Sequence, residues 1–179
     1  MDLVIDIQCC RDAKNNIIPK EVAVISLQGN HLAHWIVLPP YSAKKLPLKI
    51  RDENKWLRQS LHGIDWEEGF VSKKILYENL RNITKNYDKV YIRGNEKKKL
   101  LENIILNEII NLEEDEDTPS FSKLPWDDSF CVMHATRMTH VAFQCAFNHA
   151  TRLKKYLLTQ RKEKENEQFG DITDFIHCT

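Results

Sequence analysis

"LVIDIQCCRDAKNNIIPKEVAVISL" (Leu3–Leu27) holds two short, mostly apolar runs, "LVIDI" and "EVAVISL", joined by the polar, Asn-containing connection "RDAKNNIIPK". Runs of this length, rich in β-branched residues and bounded by polar segments, read as strands. The two are expected to be neighbours in one sheet. "HWIVLPP" (His34–Pro40) is a third such run, and Pro39 and Pro40 end it because proline has no N–H for a central ladder. A sheet therefore starts with three strands at the N-terminus.

Beyond the prolines the apolar spacing becomes helical. "ENKWLRQSLHG" (Glu53–Gly63) places Trp56 and Leu57 with Leu61 on helix spacing, and Gly63 supplies a C-cap. "VSKKILYENLRNIT" (Val71–Thr84) repeats apolar positions at Ile75, Leu76, Leu80 and Ile83 behind Ser72 as N-cap. "DKVYIRG" reads as a fourth strand and "NEKKKLLENIIL" as the helix leaving it, with Asn95 near the cap. A short strand and an acidic loop are expected within "NEIINLEEDEDTPSFSKLPW". A last large helix is expected from near Thr139 to Leu158. Val141, Cys145, Asn148, Arg152 and Tyr156 trace one of its faces, and Ala142, Phe143, Ala146, Ala150, Leu153 and Leu157 lie beside them. This order predicts an α/β fold, a mixed sheet flanked by helices, in which the later strands are reached by helical crossovers. The domain is expected over residues 1–160, followed by a charged tail over 161–179.

A chain of 179 residues is long enough for one full core and short for two. Apolar residues at 42% and charged residues at 29% fit a soluble globular protein, with no apolar stretch near the roughly 20 residues of a membrane span. "MDLVIDIQCC" lacks the basic start and the length of a secretory signal, and the adjacent Cys9 and Cys10 suit a reducing compartment. An intracellular location, cytoplasm or nucleus, is the expectation. Lys and Arg (26) balance Asp and Glu (26), so any attraction for nucleic acid must come from local patches. Two candidates are Lys97, Lys98 and Lys99, and Arg152, Lys154 and Lys155. An acidic block, "LEEDED" (Leu112–Asp117), opposes them, and all three segments also fit plain solvated faces.

"FCVMHATRMTHVAFQCAFNHATRLKKYL" (Phe130–Leu157) concentrates the metal-ligating residue types. Cys131-x-x-His134 is a tight pair whose side chains reach one ion from a turn, and Cys145 follows after ten residues. Zinc in closed sites takes four N and S donors of this kind. The fourth place is open between His149, one helical turn beyond Cys145, and Glu21 on the second strand. The plain alternative is that both cysteines are small buried hydrophobes and the histidines satisfy core hydrogen bonds. Asp6, inside an apolar strand, needs a partner when buried. Trp56 and Trp66 flank "LHGID", where aromatic rings can stack on unpaired bases or simply pack in the core. His62 and His140 are acid–base candidates on residue type alone.

The element order resembles the ribonuclease-H-like fold of the DEDDh 3′–5′ exonucleases. That family carries Asp-x-Glu on its first strand, an Asp after the fourth, and His-x-Ala-x-x-Asp-Ala on a late helix. Here the first strand reads Asp6-Ile7-Gln8. The late helix reads Gln144-Cys145-Ala146-Phe147-Asn148-His149-Ala150, with Gln144 and His149 at the motif's His and Asp. "RGNEKKK" puts lysines where the family's carboxylate would stand. A two-metal nuclease needs several hard oxygen ligands, and this set is not kept.

The likeness sharpens toward a degenerate branch of that fold, the Maelstrom domain of germline small-RNA pathways, through "PKEVAVISL" (Pro19–Leu27), "CVMH" (Cys131–His134) and Cys145. Segments of the type "HGIDWEEG" and "RGNEKKKLLE" are also similar to a group of arthropod proteins, which adds no activity. The Maelstrom resemblance implies Glu21, Cys131, His134 and Cys145 as ligands of a structural zinc ion. It also implies no two-metal catalysis, and binding of single-stranded RNA or of a small-RNA pathway protein. Metal-independent cleavage of single-stranded RNA and a pure protein-interaction role are the competing expectations.

Overall fold

The computed structural model describes residues 1–128, 131–135 and 144–174. Five strands form one mixed sheet in the order β3-β2-β1-β4-β5: β1 Asp2–Arg11, β2 Ile17–Ser26, β3 Leu32–Ile36, β4 Lys89–Ile92 and β5 Glu108–Asn111. β1 pairs antiparallel with β2 and parallel with β4; β2–β3 is antiparallel and β4–β5 parallel. The helices are α1 Leu48–Leu57, α2 Lys73–Thr84, α3 Asn95–Glu102, the short α4 Val132–Ala135 and the long α5 Ala146–Asp174. The fold is mixed α/β, a five-stranded sheet flanked by helices, and is compatible with a ribonuclease-H-like arrangement. Among the described residues no helix is long and apolar enough to cross a membrane.

β1 lies at the centre of the sheet, and its alternation divides the core in two. Leu3, Ile5 and Ile7 join Val22, Val24, Val90 and Ile92 beneath Leu76 and Leu80 of α2 and Leu101 of α3. Val4 faces the other way, with Ala23, Ile25 and Leu27, against Ala146, Ala150, Leu153 and Leu157 of α5. Each leucine fully buried in this way contributes roughly 1.5–3 kcal/mol. The next positions on the α5 side are polar. Asp6 and Gln8 of β1, Glu21 of β2 and His34 of β3 all fall on this face, because Asp6 pairs with Ala23, Gln8 with Glu21, and Ala23 with His34. One sheet face is thus apolar under the body of α5 and polar under its N-terminus.

Several local expectations hold. Ser72 accepts a hydrogen bond from the Ile75 N–H, and Gly63 ends its helix at φ 71°, a left-handed conformation that glycine adopts without cost. Others differ. α1 starts five residues before Glu53, at Leu48, and continues into a wider π-type turn over Arg58–His62, so Ile50, Asn54 and His62 are buried while Trp56 is 54% exposed. Ile75 is exposed as well. Gly94 rather than Asn95 caps α3. Cys145 precedes α5, which begins at Ala146 and runs on through residues 161–174; Val141, Ala142, Phe143 and the expected start at Thr139 lie outside the described residues. Arg161, beyond the expected domain end, bonds Asp2 of β1 and the Tyr91 hydroxyl.

A bulge in β2 has a large consequence. Gln8 pairs with Glu21 but Cys9 pairs with Pro19, so Lys20 is an extra residue. Its side chain is fully buried, and its ammonium donates to the carbonyls of Val37 (2.7 Å), Trp66 (2.8 Å) and Glu68 (2.5 Å). Three donors meet three acceptors, and the segment after β3 is tied to the loop before α2. Gly69 allows this approach: a Cβ there would stand 2.4 Å from the Leu38 nitrogen.

Candidate metal centre

Glu21 is fully buried on β2, and both of its oxygens are engaged. Oε2 accepts from the Ala146 N–H (2.9 Å), the first residue of α5, where a carboxylate favours the helix dipole. Oε1 lies 2.8 Å from His34 Nε2 and accepts from the Cys145 thiol at 3.4 Å. Cys131 and Cys145 are both buried, and one ligand atom from each of Glu21, His34, Cys131 and Cys145 lies within 4.8 Å of all the others. Donors about 2.0–2.3 Å from one tetrahedral ion stand roughly 3.3–3.8 Å apart, so a slight contraction closes the group on an ion. These four residues can hold a metal ion.

His134 stands at the edge of the same group. Its Nδ1 is 3.4 Å from Cys131 Sγ and 3.7 Å from Glu21 Oε1. Its Nε2 is 2.8 Å from the His62 carbonyl, and since a carbonyl only accepts, Nε2 carries the proton and Nδ1 presents its lone pair to the cluster. A backbone carbonyl fixing the outer nitrogen is the usual support of a metal-ligating histidine. Five donor side chains therefore converge where a four-coordinate ion needs four. His34 and His134 compete for the same role.

The thiols are electrostatically unequal. The hydrogen bond from Cys145 holds the Cys131 thiol far below its ordinary range despite burial, and His134 adds to this. Cys145 is pushed up by that same bond, by burial and by the Glu21 carboxylate. Burial pulls His134 down, but Cys131, Glu21 and the His62 carbonyl outweigh it and raise its pKa. One thiolate among these neighbours is a ready first ligand, and the second proton leaves when an ion binds.

His149 does not join this group, although it follows Cys145 by four residues. Cys145 is not yet helical, and His149 points to the neighbouring row of the sheet. There its Nδ1 meets Asp6 Oδ2 at 3.2 Å, Gln8 Nε2 donates to that same oxygen at 3.1 Å, and Lys97 of α3 donates to Asp6 Oδ1 at 2.7 Å. The His149 ring stacks on Phe121 with centroids 4.0 Å apart. Burial alone would push the fully buried Asp6 carboxyl up, but Lys97 and His149 together bring it below its ordinary value. Lys97 is correspondingly raised by Asp6 against its own burial.

Because the Asp6 pKa is lowered on folding, this carboxylate contributes stability that is complete above its unfolded value of about 3.9 and is lost as pH falls through the lower folded value. Asp6→Asn is expected to cost about 3–5 kcal/mol near neutral pH, since it strands a paired ammonium. The gap between the two proteins should narrow in acid. Urea titrations at neutral and acidic pH read both effects; a constant gap would contradict the pairing.

The two basic clusters are largely committed within the molecule. Lys97 holds Asp6, and Lys98 pairs with Glu114 at 3.0 Å. Lys99 is exposed. Arg152 donates to the carbonyls of Phe121 (2.5 Å), Leu124 (2.8 Å) and Pro125 (3.0 Å), clamping that loop on α5. Lys154 reaches the Gly29 carbonyl at 3.2 Å, and Lys155 pairs with Asp127. Trp66 is a core residue whose Nε1 donates to the Tyr41 carbonyl. His62 is buried, accepts from the Ile64 N–H through Nδ1, and has Nε2 3.9 Å from Cys10 Sγ. His140 lies outside the described residues. His34 and Lys20 were not legible as functional residues: His34 sits in an unremarkable strand, and only the sheet register carries it to Glu21.

Comparison with family models, with curated proteins and with solved structures gives no match to this chain.

Proposed function

We propose that this chain is a catalytically degenerate ribonuclease-H-like domain that holds a structural zinc ion through Glu21, Cys131, His134 and Cys145 and binds single-stranded RNA. The observation that carries it is the ammonium of Lys97, 2.7 Å from the buried Asp6 carboxylate. A two-metal nuclease keeps cations on such carboxylates; a fixed lysine competes for the same oxygen and repels them. The zinc part is supported by donor chemistry, since two thiols, imidazole and carboxylate are the zinc set, and four protein ligands leave no open position for a reacting water. Bound there, the ion would tie the Cys131–Ala135 segment and the start of α5 to β2. His34 is the alternative nitrogen donor, at 2.8 Å from Glu21.

RNA as the ligand rests on the Maelstrom resemblance, with exposed Lys99 and Lys155 as the first basic contacts. Fluorescence anisotropy of a labelled single-stranded RNA against zinc-loaded protein tests it. Binding should weaken steeply as salt rises, because phosphate contacts release counterions. No binding at low salt would sink the RNA part, and RNA cleavage persisting in EDTA would sink the non-catalytic part. A second reading, docking of a small-RNA pathway protein, is favoured by the internal engagement of Lys98, Arg152 and Lys154. Partner capture that survives ribonuclease treatment would separate it from the first.

A further inference from the structure

We propose that Asp6, Gln8 and His149 form a second cation site, filled in this chain by the ammonium of Lys97, which a divalent metal ion enters once that ammonium is removed. The site is distinct from the cysteine-containing centre one row away on the sheet. Both oxygens of Asp6 are in use: Oδ1 takes Lys97 at 2.7 Å, and Oδ2 takes Gln8 Nε2 at 3.1 Å and His149 Nδ1 at 3.2 Å. Gln8 Nε2 is also 3.3 Å from His149 Nδ1, so the three side chains already converge. Asp6 is fully buried, while the Lys97 side chain is 22% exposed and enters from α3.

That entry route is open. A cleft of about 250 Å³ lies above the cluster, lined by Gln8, Cys9, Arg11, Lys97, Phe121 and His149 among others. Arg11 is no substitute for Lys97, because its guanidinium is bonded to both oxygens of Glu96 at 2.7 and 2.8 Å. A buried carboxylate that loses its cation is left uncompensated, and it must take up either a proton or another cation. Carboxylate oxygen, an amide oxygen presented by a turned Gln8, and imidazole nitrogen suit manganese, cobalt or zinc among divalent ions. Truncating Lys97 removes the competing charge and joins the site to the cleft. In the native chain, Lys97 is then the residue that keeps divalent ions out.

Manganese is the probe. Protein loaded with zinc and freed of excess is titrated with Mn²⁺, and bound ion is counted from the electron paramagnetic resonance signal of the free ion. Native protein and Lys97→Arg should bind none at this site. Lys97→Ala and Lys97→Ser should each bind one added equivalent, and the further change Asp6→Asn should abolish it. A variant that folds only when Mn²⁺ is supplied gives the same answer. Folded variants with no added equivalent overturn the proposal, as do variants that fail to fold even with Mn²⁺, or an equivalent that survives Asp6→Asn. The count is a difference between variant and native protein. Failure of the zinc reading would appear separately, as native protein without zinc.

Discussion

Cys145→Ser should leave the purified protein without its metal and lower its thermal midpoint by roughly ten degrees. The thiol of Cys145 lies 3.4 Å from Glu21 and within the shell shared by Glu21, His34 and Cys131, immediately before the first residue of α5. Serine keeps the volume but is a poor ligand for a borderline-soft ion, so the closed site loses a corner. An ion that binds only the folded state adds about 4 kcal/mol of stability when present at 1,000 times its dissociation constant. For a chain of this size that corresponds to about 2–4 °C per kcal/mol. Metal analysis by mass spectrometry and calorimetry give the two readouts. Undiminished zinc in Cys145→Ser would refute the centre. The paired variants His34→Ala and His134→Ala decide which imidazole ligates: the true ligand loses the ion, whereas loss of the other leaves the stoichiometry intact.

Lys20→Met should destabilise the protein by about 3–5 kcal/mol, a loss as large as that of the metal and independent of it. The methionine side chain fills most of the same space but cannot donate, so the carbonyls of Val37, Trp66 and Glu68 stay buried without their partner. Each unsatisfied acceptor costs about 1–3 kcal/mol, and partial relaxation keeps the sum below the maximum. The expected result in urea is a lower midpoint with an unchanged slope. Zinc content should not change, because Lys20 points away from Glu21 along the opposite side of the bulge. A loss below about 1 kcal/mol would mean that the three carbonyls find other donors.

The elements most readable from sequence are those decided by neighbours along the chain. "LVIDI", "EVAVISL" and "DKVYIRG" form strands because their apolar runs have no other way to be buried, and Ser72 and Gly63 act as caps through bonds and dihedrals a few residues long. The closeness of Cys131 and His134 is equally local, since a single turn joins them. The late helix was readable in kind but not in extent. The alternation of charges past residue 160 suggested a tail, yet Arg161 finds Asp2 and Tyr91 on the sheet, a partner pairing that no local pattern encodes.

What the sequence by itself determined is therefore the set of elements, their order, and a concentration of thiol and imidazole groups ahead of the last helix. The tertiary structure decided which of those groups meet. His34 reaches Glu21 because two antiparallel registers place alternate residues of three strands on one face, and a shift of one residue would have turned it to the other. His149 and Cys145 part company because the helix begins between them. Lys20 turns into the interior at a bulge, and Lys97 crosses from α3 to Asp6, 91 residues away in the chain. In each case a buried polar group takes the partner that packing brings within hydrogen-bond reach, and that choice is made in three dimensions.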